Sequence, residues 1–368
     1  MPVTAREEAL LALNRWEGFH AGMLKGWPVE PEEAFAGNES LWERVGLPPR
    51  ARELVARLRS EGWATAEEER ADRIGAKLLF WGGDGYPARL VDLERPPAVL
   101  YAMGKWPAAS RMDAVVGTRR CSPYGSRIAR ELGCLLAGAS IGVLSGGALG
   151  IDGAAHAGAL EAEGATVAVL GTGVDLAYPP QHEELFARIR ERGTLLSEFP
   201  LSTASRAWRF PRRNRLIAAL ADRLAVVEAP EKSGAIVTAK IAMDLGREVW
   251  VVPGRIDEWV CKGSNSLLWD GAHPLVEPED LARVEVPQQA SLFGSRPEEE
   301  ETSPLLHVLR SFGDQAVDIL ASKVKMSAAD ALAELTRLEA LGLARRTIPG
   351  RWSADPSTGR KKAGHPIL

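Results

Sequence analysis

Short apolar segments alternate with longer segments of helical pattern between residues 71 and 285. The apolar segments are rich in valine and too short for helices, which is typical of strands that are buried on both faces. They are DAVVGT, IGVLS, TVAVLG, LAVVEA and EVWVVPG. Helical segments such as PYGSRIARELGCLLAGA and GAIVTAKIAMDLG lie between them. Because each crossover helix must pack back onto the sheet, the alternation predicts an α/β fold with a doubly wound, mainly parallel sheet.

The regions on either side of this domain have different patterns. Residues 1–70 predict a small helical module, because TAREEALLALNRW and LPPRARELVARLRSEG have helical starts and stops. Residues 286–303 combine Pro, Gln, Gly and Ser with an acidic run, which indicates a flexible linker. Residues 304–354 predict three helices and a small hairpin, the pattern of a winged helix, and residues 355–368 predict a disordered tail.

Composition excludes several classes of protein. The 45 basic and 49 acidic side chains give a net charge of −4, so any nucleic-acid surface must be a local patch. The three cysteines have no zinc-site spacing, and the odd count argues against an oxidised secretory scaffold, so we expect a cytoplasmic protein without a metal. A twenty-residue uncharged stretch, 132–151, contains six glycines and predicts a buried helix, a turn and a strand rather than a membrane span.

A glycine-rich segment, SGGALGIDGAAHAGAL, follows one predicted strand and enters a helix. Backbone amides and the positive end of a helix can bind an anion at such a turn, although glycines there also serve simple packing. The turns in VVGTRR and VVEAPEKSGAIVTA leave strands at the same carboxyl edge, where open α/β sheets bind ligands. The spacing is not that of a dinucleotide fingerprint, so we expect a phosphate site and no nicotinamide cofactor.

An arginine-rich segment, SRAWRFPRRNRLIAAL, is the sharpest local signal for nucleic acid. Five arginines lie there beside Trp208 and Phe210, and no acidic residue occurs between Glu198 and Asp222. Arginines that neutralise phosphates and rings that stack on unpaired bases are the combination that single strands require. The competing interpretation is a solvated arginine face with the two rings in the core. The five arginines are Arg206, Arg209, Arg212, Arg213 and Arg215.

Catalytic interpretations have less support. His156 has no neighbouring nucleophile motif, and the six histidines form no metal-binding spacing, which favours a buried, hydrogen-bonded His156. The acidic residues Asp152, Glu198 and Glu228 could act as acids or bases, but carboxylates at such positions are routine helix caps and arginine partners. We therefore expect no enzyme.

These motifs together resemble the DNA processing protein A family, DprA, also called Smf. The segments VVGTRR, SGGALGIDGAAHAGAL, GTGVDLAYPPQHEELF, LLSEFP, FPRRNRLIAAL, VVPGR and KGSNSLLWDGA occur in the family's order. The resemblance spans roughly residues 75–283, with a weaker match of the winged helix and of an N-terminal module similar to a sterile-alpha-motif (SAM) domain. It implies an extended Rossmann-like, homodimeric protein that binds single-stranded DNA and loads the RecA recombinase onto it during natural transformation.

The resemblance also implies site residues. It assigns Arg119, Ser145, Gly146, Gly147, Phe210, Arg213, Asn214 and Arg215 to the single-strand pocket. From the residues themselves we also expect Arg209 and Arg212 of the arginine-rich segment, Ser233 and Gly234 of the third turn, and Lys262 in this pocket. The dimer interface would include Leu267, Leu268 and Trp269, with core packing as the competing interpretation. Duplex DNA, or alternatively a protein, would meet the winged helix near Lys323, Lys325, Arg345, Arg346 and Arg351.

A second function remains open at the level of sequence. A nucleotide-processing enzyme similar to the lysine-decarboxylase-like phosphoribohydrolases would also place glycine-rich turns at the edge of such a sheet. The PGGxGTxxE signature of those enzymes is absent from this chain. Binding of a nucleoside monophosphate rather than an oligonucleotide would distinguish this alternative.

Overall fold

A computed structural model describes residues 3–91, 93–282, 303–340, 343–348 and 351–354. The chain divides into two compact units, Met1–Val284 and Glu285–Leu368. The predicted linker lies outside the described residues except for Ser303, and the predicted tail, 355–368, lies wholly outside them.

The N-terminal region is helical, as its sequence predicts. Its first helix opens with a capping box, in which Thr4 accepts from the Glu7 amide while the Glu7 side chain accepts from the Thr4 amide. Gly62 takes a left-handed backbone conformation between the last two helices, which glycine adopts without steric cost. The five helices are Ala5–Asn14 (α1), Pro31–Ala36 (α2), Glu39–Arg44 (α3), Pro49–Ser60 (α4) and Trp63–Arg73 (α5).

These helices share one hydrophobic core with the sheet rather than a core of their own. Leu10, Leu13 and Phe19 are fully buried in the same cluster as Tyr101 and Met103, which lie on a sheet strand. The helical module and the α/β region therefore form a single compact unit.

A nine-stranded sheet forms the centre of the first unit. The order is β1-β2-β6-β5-β4-β3-β7-β8-β9, with antiparallel pairing of β1 with β2 and of β2 with β6, and parallel pairing throughout the rest. The mainly parallel, doubly wound α/β prediction is thus confirmed. The strands are Ala76–Phe80 (β1), Val99–Gly104 (β2), Met112–Val116 (β3), Gly142–Ser145 (β4), Thr166–Val169 (β5), Thr194–Ser197 (β6), Arg223–Val226 (β7), Glu248–Val251 (β8) and His273–Pro274 (β9).

The five strands predicted from valine-rich segments are all present, and they are β3, β4, β5, β7 and β8. The uncharged stretch 132–151 is the end of a helix, a turn at Ser140 and strand β4, as predicted. The helices around the sheet are Pro123–Gly138 (α6), Ile151–Glu161 (α7), Glu183–Arg192 (α8), Arg209–Leu220 (α9), Gly234–Asp244 (α10), Lys262–Trp269 (α11) and Pro278–Ala282 (α12). In the part of the chain that is described, no helix has the length and apolar character needed to cross a membrane.

In its described residues, the second unit has the three helices of the predicted winged-helix pattern and a three-stranded sheet of order β10-β12-β11, one strand more than the predicted hairpin. Its core includes Leu305, Leu309, Leu335, Leu338 and the fully buried Trp352. Its elements are Pro304–Phe312 (α13), Gln315–Ala316 (β10), Val317–Val324 (α14), Ala328–Ala340 (α15), Ala344–Ile348 (β11) and Arg351–Ala354 (β12).

Candidate nucleic-acid interface

A cavity of about 740 Å³ opens at the carboxyl edge of the parallel strands. Its walls come from the turns that follow β3, β4, β7 and β8 and from the start of α9, so the predicted convergence of separate turns at this edge is found. The cavity is lined by Val116, Gly117, Thr118, Arg119, Arg120, Ala148, Asp152, Tyr178, Ser205, Arg206, Ala207, Phe210, Pro211, Arg213, Asn214, Ile217, Pro230, Lys232, Ser233, Gly234, Ala235, Thr238 and Trp259.

Four exposed cations line this cavity: Arg119, Arg120, Arg206 and Lys232. Among the described residues none of the four has a carboxylate within ion-pair distance. Cations without a protein counter-ion leave a positive potential for an anionic ligand. Lys232 was not identified from the sequence, because a lone lysine in a loop carries no pattern of its own.

The start of α10 adds uncharged anion-binding groups to the same cavity. Ser233 caps the helix by accepting from the Ala235 amide at 3.2 Å, and Gly234 and Ala235 line the cavity. The Asn214 side chain donates to the Gly234 carbonyl at 3.1 Å and so ties α9 to this turn. The first amides of α10 therefore border the cavity with the positive end of the helix dipole.

The predicted residue Arg213 is buried within the glycine-rich turn rather than exposed to solvent. Its Nη1 donates to the carbonyl oxygens of Gly146, at 2.5 Å, and of Val169. A Cβ atom at Gly146 would lie 2.6 Å from this guanidinium group, so the close approach requires glycine. Burial lowers the pKa of Arg213 to about 10 and the nearby Asp152 opposes that shift, so the side chain is charged at neutral pH.

The carboxylate of Asp152 organises the other side of the same turn. Its Oδ2 accepts from the amide of Gly146 at 3.2 Å and from that of Ala148 at 3.4 Å. Burial raises the pKa of Asp152, while Arg213 and these amides act against the rise. Asp152 is thus a structural acceptor at the start of α7.

Most of the arginine-rich segment is paired with carboxylates, contrary to the expectation from its local sequence. Arg212 and Arg215 both contact Oε2 of Glu198, at 3.0 Å and 2.7 Å. Arg209 pairs with Glu17, which is far away in the sequence. The expectation of an unneutralised cluster was wrong because it considered only neighbours along the chain. Among the described residues, Arg206 and Arg213 are the members of the cluster that line the cavity without such a pair, and of the two Arg206 is exposed and Arg213 is buried.

The two predicted rings of this segment have different surroundings. Phe210 lines the cavity, and the Arg119 guanidinium lies 4.9 Å from its ring centroid. Trp208 instead packs edge-on against Phe199, with centroids 6.5 Å apart, and does not line the cavity. Tyr178 and Trp259 also line the cavity, and the sequence analysis identified neither as a site residue.

Seven predicted site residues do not line the main cavity, and they are Ser145, Gly146, Gly147, Arg209, Arg212, Arg215 and Lys262. The Ser145 hydroxyl is fully buried and donates to the Val115 carbonyl at 2.6 Å, so it links two strands. The Gly147 carbonyl contacts Nδ1 of His182 at 3.0 Å. Lys262 is exposed at the start of α11. Gly146 lines a smaller cavity of about 80 Å³, whose walls include Arg119 and Phe210.

The groups considered for catalysis have structural partners. His156 is fully buried, its Nδ1 lies 2.7 Å from the Thr166 hydroxyl, and burial lowers its pKa to about 3. The Glu228 carboxylate accepts from the Ser122 amide at 2.8 Å and so supports the start of α6. Within the described ranges, no cluster of three or more His, Cys, Asp and Glu side chains could hold a metal ion.

The predicted dimer residues are only partly accessible. Leu267 is fully buried in the core of the first unit, so the core-packing interpretation is correct for this residue. Leu268 is half-buried, and Trp269 is 94% exposed. Trp269 is therefore the member of this set that offers apolar surface to a partner.

The winged-helix cations also differ in their contacts. Arg346 pairs with Glu339 at 3.5 Å and lies over the Trp352 ring, and Arg351 pairs with Asp314 at 3.2 Å. Lys325 and Arg345 are exposed and have no carboxylate partner among the described residues. Lys323 is the fifth predicted residue and lies on α14.

Comparison with known proteins connects this chain to one family. The family model of DNA recombination-mediator protein A matches residues 77–285. Protein Smf of Escherichia coli is 35% identical over 270 residues, which are 70% of this chain and 72% of that protein. DNA processing protein A of Streptococcus pneumoniae has a structure with TM-score 0.65 and 27% identity, covering 77% of this chain and 99% of that chain. A structure of DNA processing protein A from Helicobacter pylori, described for its single-stranded DNA binding mode, has TM-score 0.52 and 29% identity. It covers 56% of this chain and 94% of that chain.

Proposed function

This chain belongs to the DNA recombination-mediator protein A family, and from that premise we propose that it binds single-stranded DNA in the cavity at the carboxyl edge of its sheet. The observation that carries the proposal is the set of four exposed cations, Arg119, Arg120, Arg206 and Lys232, around that cavity. Phosphate neutralisation by such cations provides affinity without sequence readout. The proposed role is binding and delivery of DNA, with no covalent step.

The proposed contacts divide into charged and positioning groups. The four cations would meet phosphates directly, and the Gly234 amide at the start of α10 would donate to one phosphate, because the Ala235 and Ile236 amides already donate to Ser233. Arg213 and Asn214 would act by holding the glycine-rich turn and the start of α10 in place, since their side chains already bond backbone carbonyls. Arg209, Arg212 and Arg215 would stabilise the arginine-rich helix from its other side.

The recombination role is proposed from the family rather than from a site in this chain. We propose a cytoplasmic homodimer in which two cavities bind one strand and deliver it to the RecA recombinase. Two linked sites strengthen binding because the second contact is intramolecular. The exposed Trp269 supports the dimer, and the exposed Lys325 and Arg345 support a secondary contact with duplex DNA through the winged helix.

The experiment that tests the proposal is fluorescence anisotropy with a labelled single-stranded oligonucleotide and its duplex. We expect strand-selective binding by the parent and at least tenfold weaker binding by the double variant Arg119→Ala, Lys232→Ala. A suitable control is Arg188→Ala, which removes an exposed arginine on α8 that does not line the cavity.

Two results would contradict this site. If the double variant binds as tightly as the parent, the strand is held elsewhere, and the winged helix becomes the next surface to test. If the parent binds no strand but its melting temperature rises with a nucleoside monophosphate, the nucleotide-processing alternative is favoured.

A further inference from the structure

Trp259 is a large aromatic residue on the wall of the DNA cavity with no evident structural role. Its side chain lines the cavity and is 55% exposed. In the described part of the chain, its ring is not stacked on another aromatic ring and lies under no cation. An indole that is left half-exposed in a ligand cavity has a free face for a planar ligand.

The other two aromatic residues of the cavity are already engaged with protein groups. The Phe210 ring has the Arg119 guanidinium 4.9 Å from its centroid and the Tyr178 ring 5.6 Å away. It also rests on backbone, because a Cβ atom at Gly171 would lie 2.8 Å from the Phe210 ring. Phe210 is half-buried among these groups, so less of its surface is free than that of Trp259.

The loop that carries Trp259 is held in place by two hydrogen bonds between a side chain and the backbone. The Asn265 side chain accepts from the Gly254 amide at 3.0 Å and donates to the Gly254 carbonyl at 2.9 Å. Trp259 itself begins a short 3₁₀ turn that ends at the buried Cys261, whose amide donates to the Glu258 carbonyl at 3.0 Å. A loop whose backbone is held this way loses little further conformational freedom when a ligand stacks on its ring.

We propose that Trp259 stacks on one base of the bound single strand, while the cations of the cavity hold the adjacent phosphates. This inference rests on the proposed function and adds base recognition to it. Stacking is tolerant of sequence because every base has a π-face, so Trp259 increases affinity without selecting a base. Paired bases present no free face, so the same contact favours single-stranded over duplex DNA.

The test compares two probes of equal length and charge: a 20-nucleotide thymidine strand and a fully abasic strand. For the thymidine strand we expect Trp259→Leu to weaken binding by about five-fold to a hundred-fold, the range of one lost base stack. Trp259→Tyr should restore most of that affinity. For the abasic strand, Trp259→Leu should bind like the parent, because the phosphate contacts are intact.

The control variant is Trp106→Leu, which removes another exposed tryptophan that does not line the cavity. Equal affinity of the parent and Trp259→Leu for the thymidine strand would overturn the inference and leave the proposed function standing. An equal loss on both probes, unrestored by Trp259→Tyr, would also overturn it, because the loop would then act through cavity shape. Failure of the parent to bind either probe would instead refute the proposed function.

Discussion

Nη2 of Arg209 donates to Oε1 of Glu17 at 2.5 Å, which connects the arginine-rich helix α9 to the loop that follows the first N-terminal helix. Arg212 of the same helix donates to the backbone carbonyl of Glu17. The arginine guanidinium groups also lie 5.4 Å and 5.5 Å from the centroid of the Phe199 ring. The helical region and the cavity are therefore joined through α9, and the arginines on one face of that helix bond protein groups.

Replacement of Glu198 should destabilise the first unit. The Glu198 side chain is 1% exposed and pairs with Arg212 and Arg215, whose side chains are 21% and 15% exposed. Its removal leaves two poorly hydrated guanidinium groups without their carboxylate partner. We expect Glu198→Ala to lower the free energy of unfolding by about 3 kcal/mol, measured by urea denaturation. The matched control is Glu131→Ala, whose exposed pair with Arg127 should contribute less than about 1 kcal/mol. Similar losses in both variants would contradict this account.

Arg213 and Arg119 should affect different properties of the protein. Arg213→Ala leaves the Gly146 and Val169 carbonyls without their donor, so we expect a loss of at least about 2 kcal/mol of stability. Arg119→Ala removes an exposed side chain and should change the urea midpoint little while weakening DNA binding. Normal stability of Arg213→Ala with weakened binding would show that Arg213 acts as a direct phosphate contact instead.

Single replacements of the cavity cations should change the salt dependence of binding. The logarithm of the affinity for a single strand falls with the logarithm of the salt concentration by about 0.7 for each phosphate neutralised. We therefore expect Arg119→Ala, Arg206→Ala and Lys232→Ala each to reduce the slope by about 0.7 in an anisotropy salt series. Arg188→Ala should retain the parent's slope. A slope unchanged in all three cavity variants would remove these cations from the interface.

Burial of His156 should make the protein less stable in mild acid. Burial lowers the pKa of His156 to about 3 from the ordinary value of 6.5, so the unfolded chain binds more protons between these values. The free energy of unfolding therefore keeps the full contribution of the neutral, buried His156 above pH 6.5 and loses it progressively as the pH falls toward 3. We expect about 2 kcal/mol less stability from this group at pH 5.0 than at pH 7.5. His156→Gln should remove that difference in urea denaturation, and parallel pH profiles of parent and variant would contradict it.

Two positions on α11 that differ in exposure, Leu267 and Trp269, should affect different properties, folding stability and dimer formation. Trp269 is 94% exposed, so we expect Trp269→Glu to fold normally but to shift the proposed dimer to monomer in light scattering. Leu267 is fully buried, so Leu267→Glu should instead cost several kcal/mol of stability through burial of a charge. A Trp269→Glu variant that stays dimeric would place the interface elsewhere.

Five of the apolar strands could be predicted from the sequence, whereas β2 was missed although it is buried along almost its whole length. The segments DAVVGT, IGVLS and TVAVLG became β3, β4 and β5, because strands buried on both faces carry an unbroken apolar signal. Strand β1 was missed because its sequence, AKLLF, contains a lysine and its side chains are partly exposed, so it has no unbroken apolar run. Strand β6 was missed because it is short, with only the four residues TLLS between Gly193 and Glu198.

The candidate site could be located from the sequence but not divided into binding and supporting residues. The turns containing Arg119 and Ser233 were identified because each follows a recognisable strand. The pairing of Arg209 with Glu17 spans 192 positions, so no local window of sequence contains it. Trp259 and Lys232 have no repeated pattern around them, and only the fold brings them to the same cavity.

The hydrophobic core shared between the N-terminal helices and strand β2 restricts how this protein can be shortened during evolution. A deletion that ended at residue 70 would expose Tyr101 and Met103 to water and remove the Glu67 carboxylate from the Leu201 amide, which it meets at 2.8 Å. A relative that lacks these helices must therefore carry polar substitutions on that face of β2 or cover it with another segment. In this chain the first seventy residues are part of the same compact unit as the sheet.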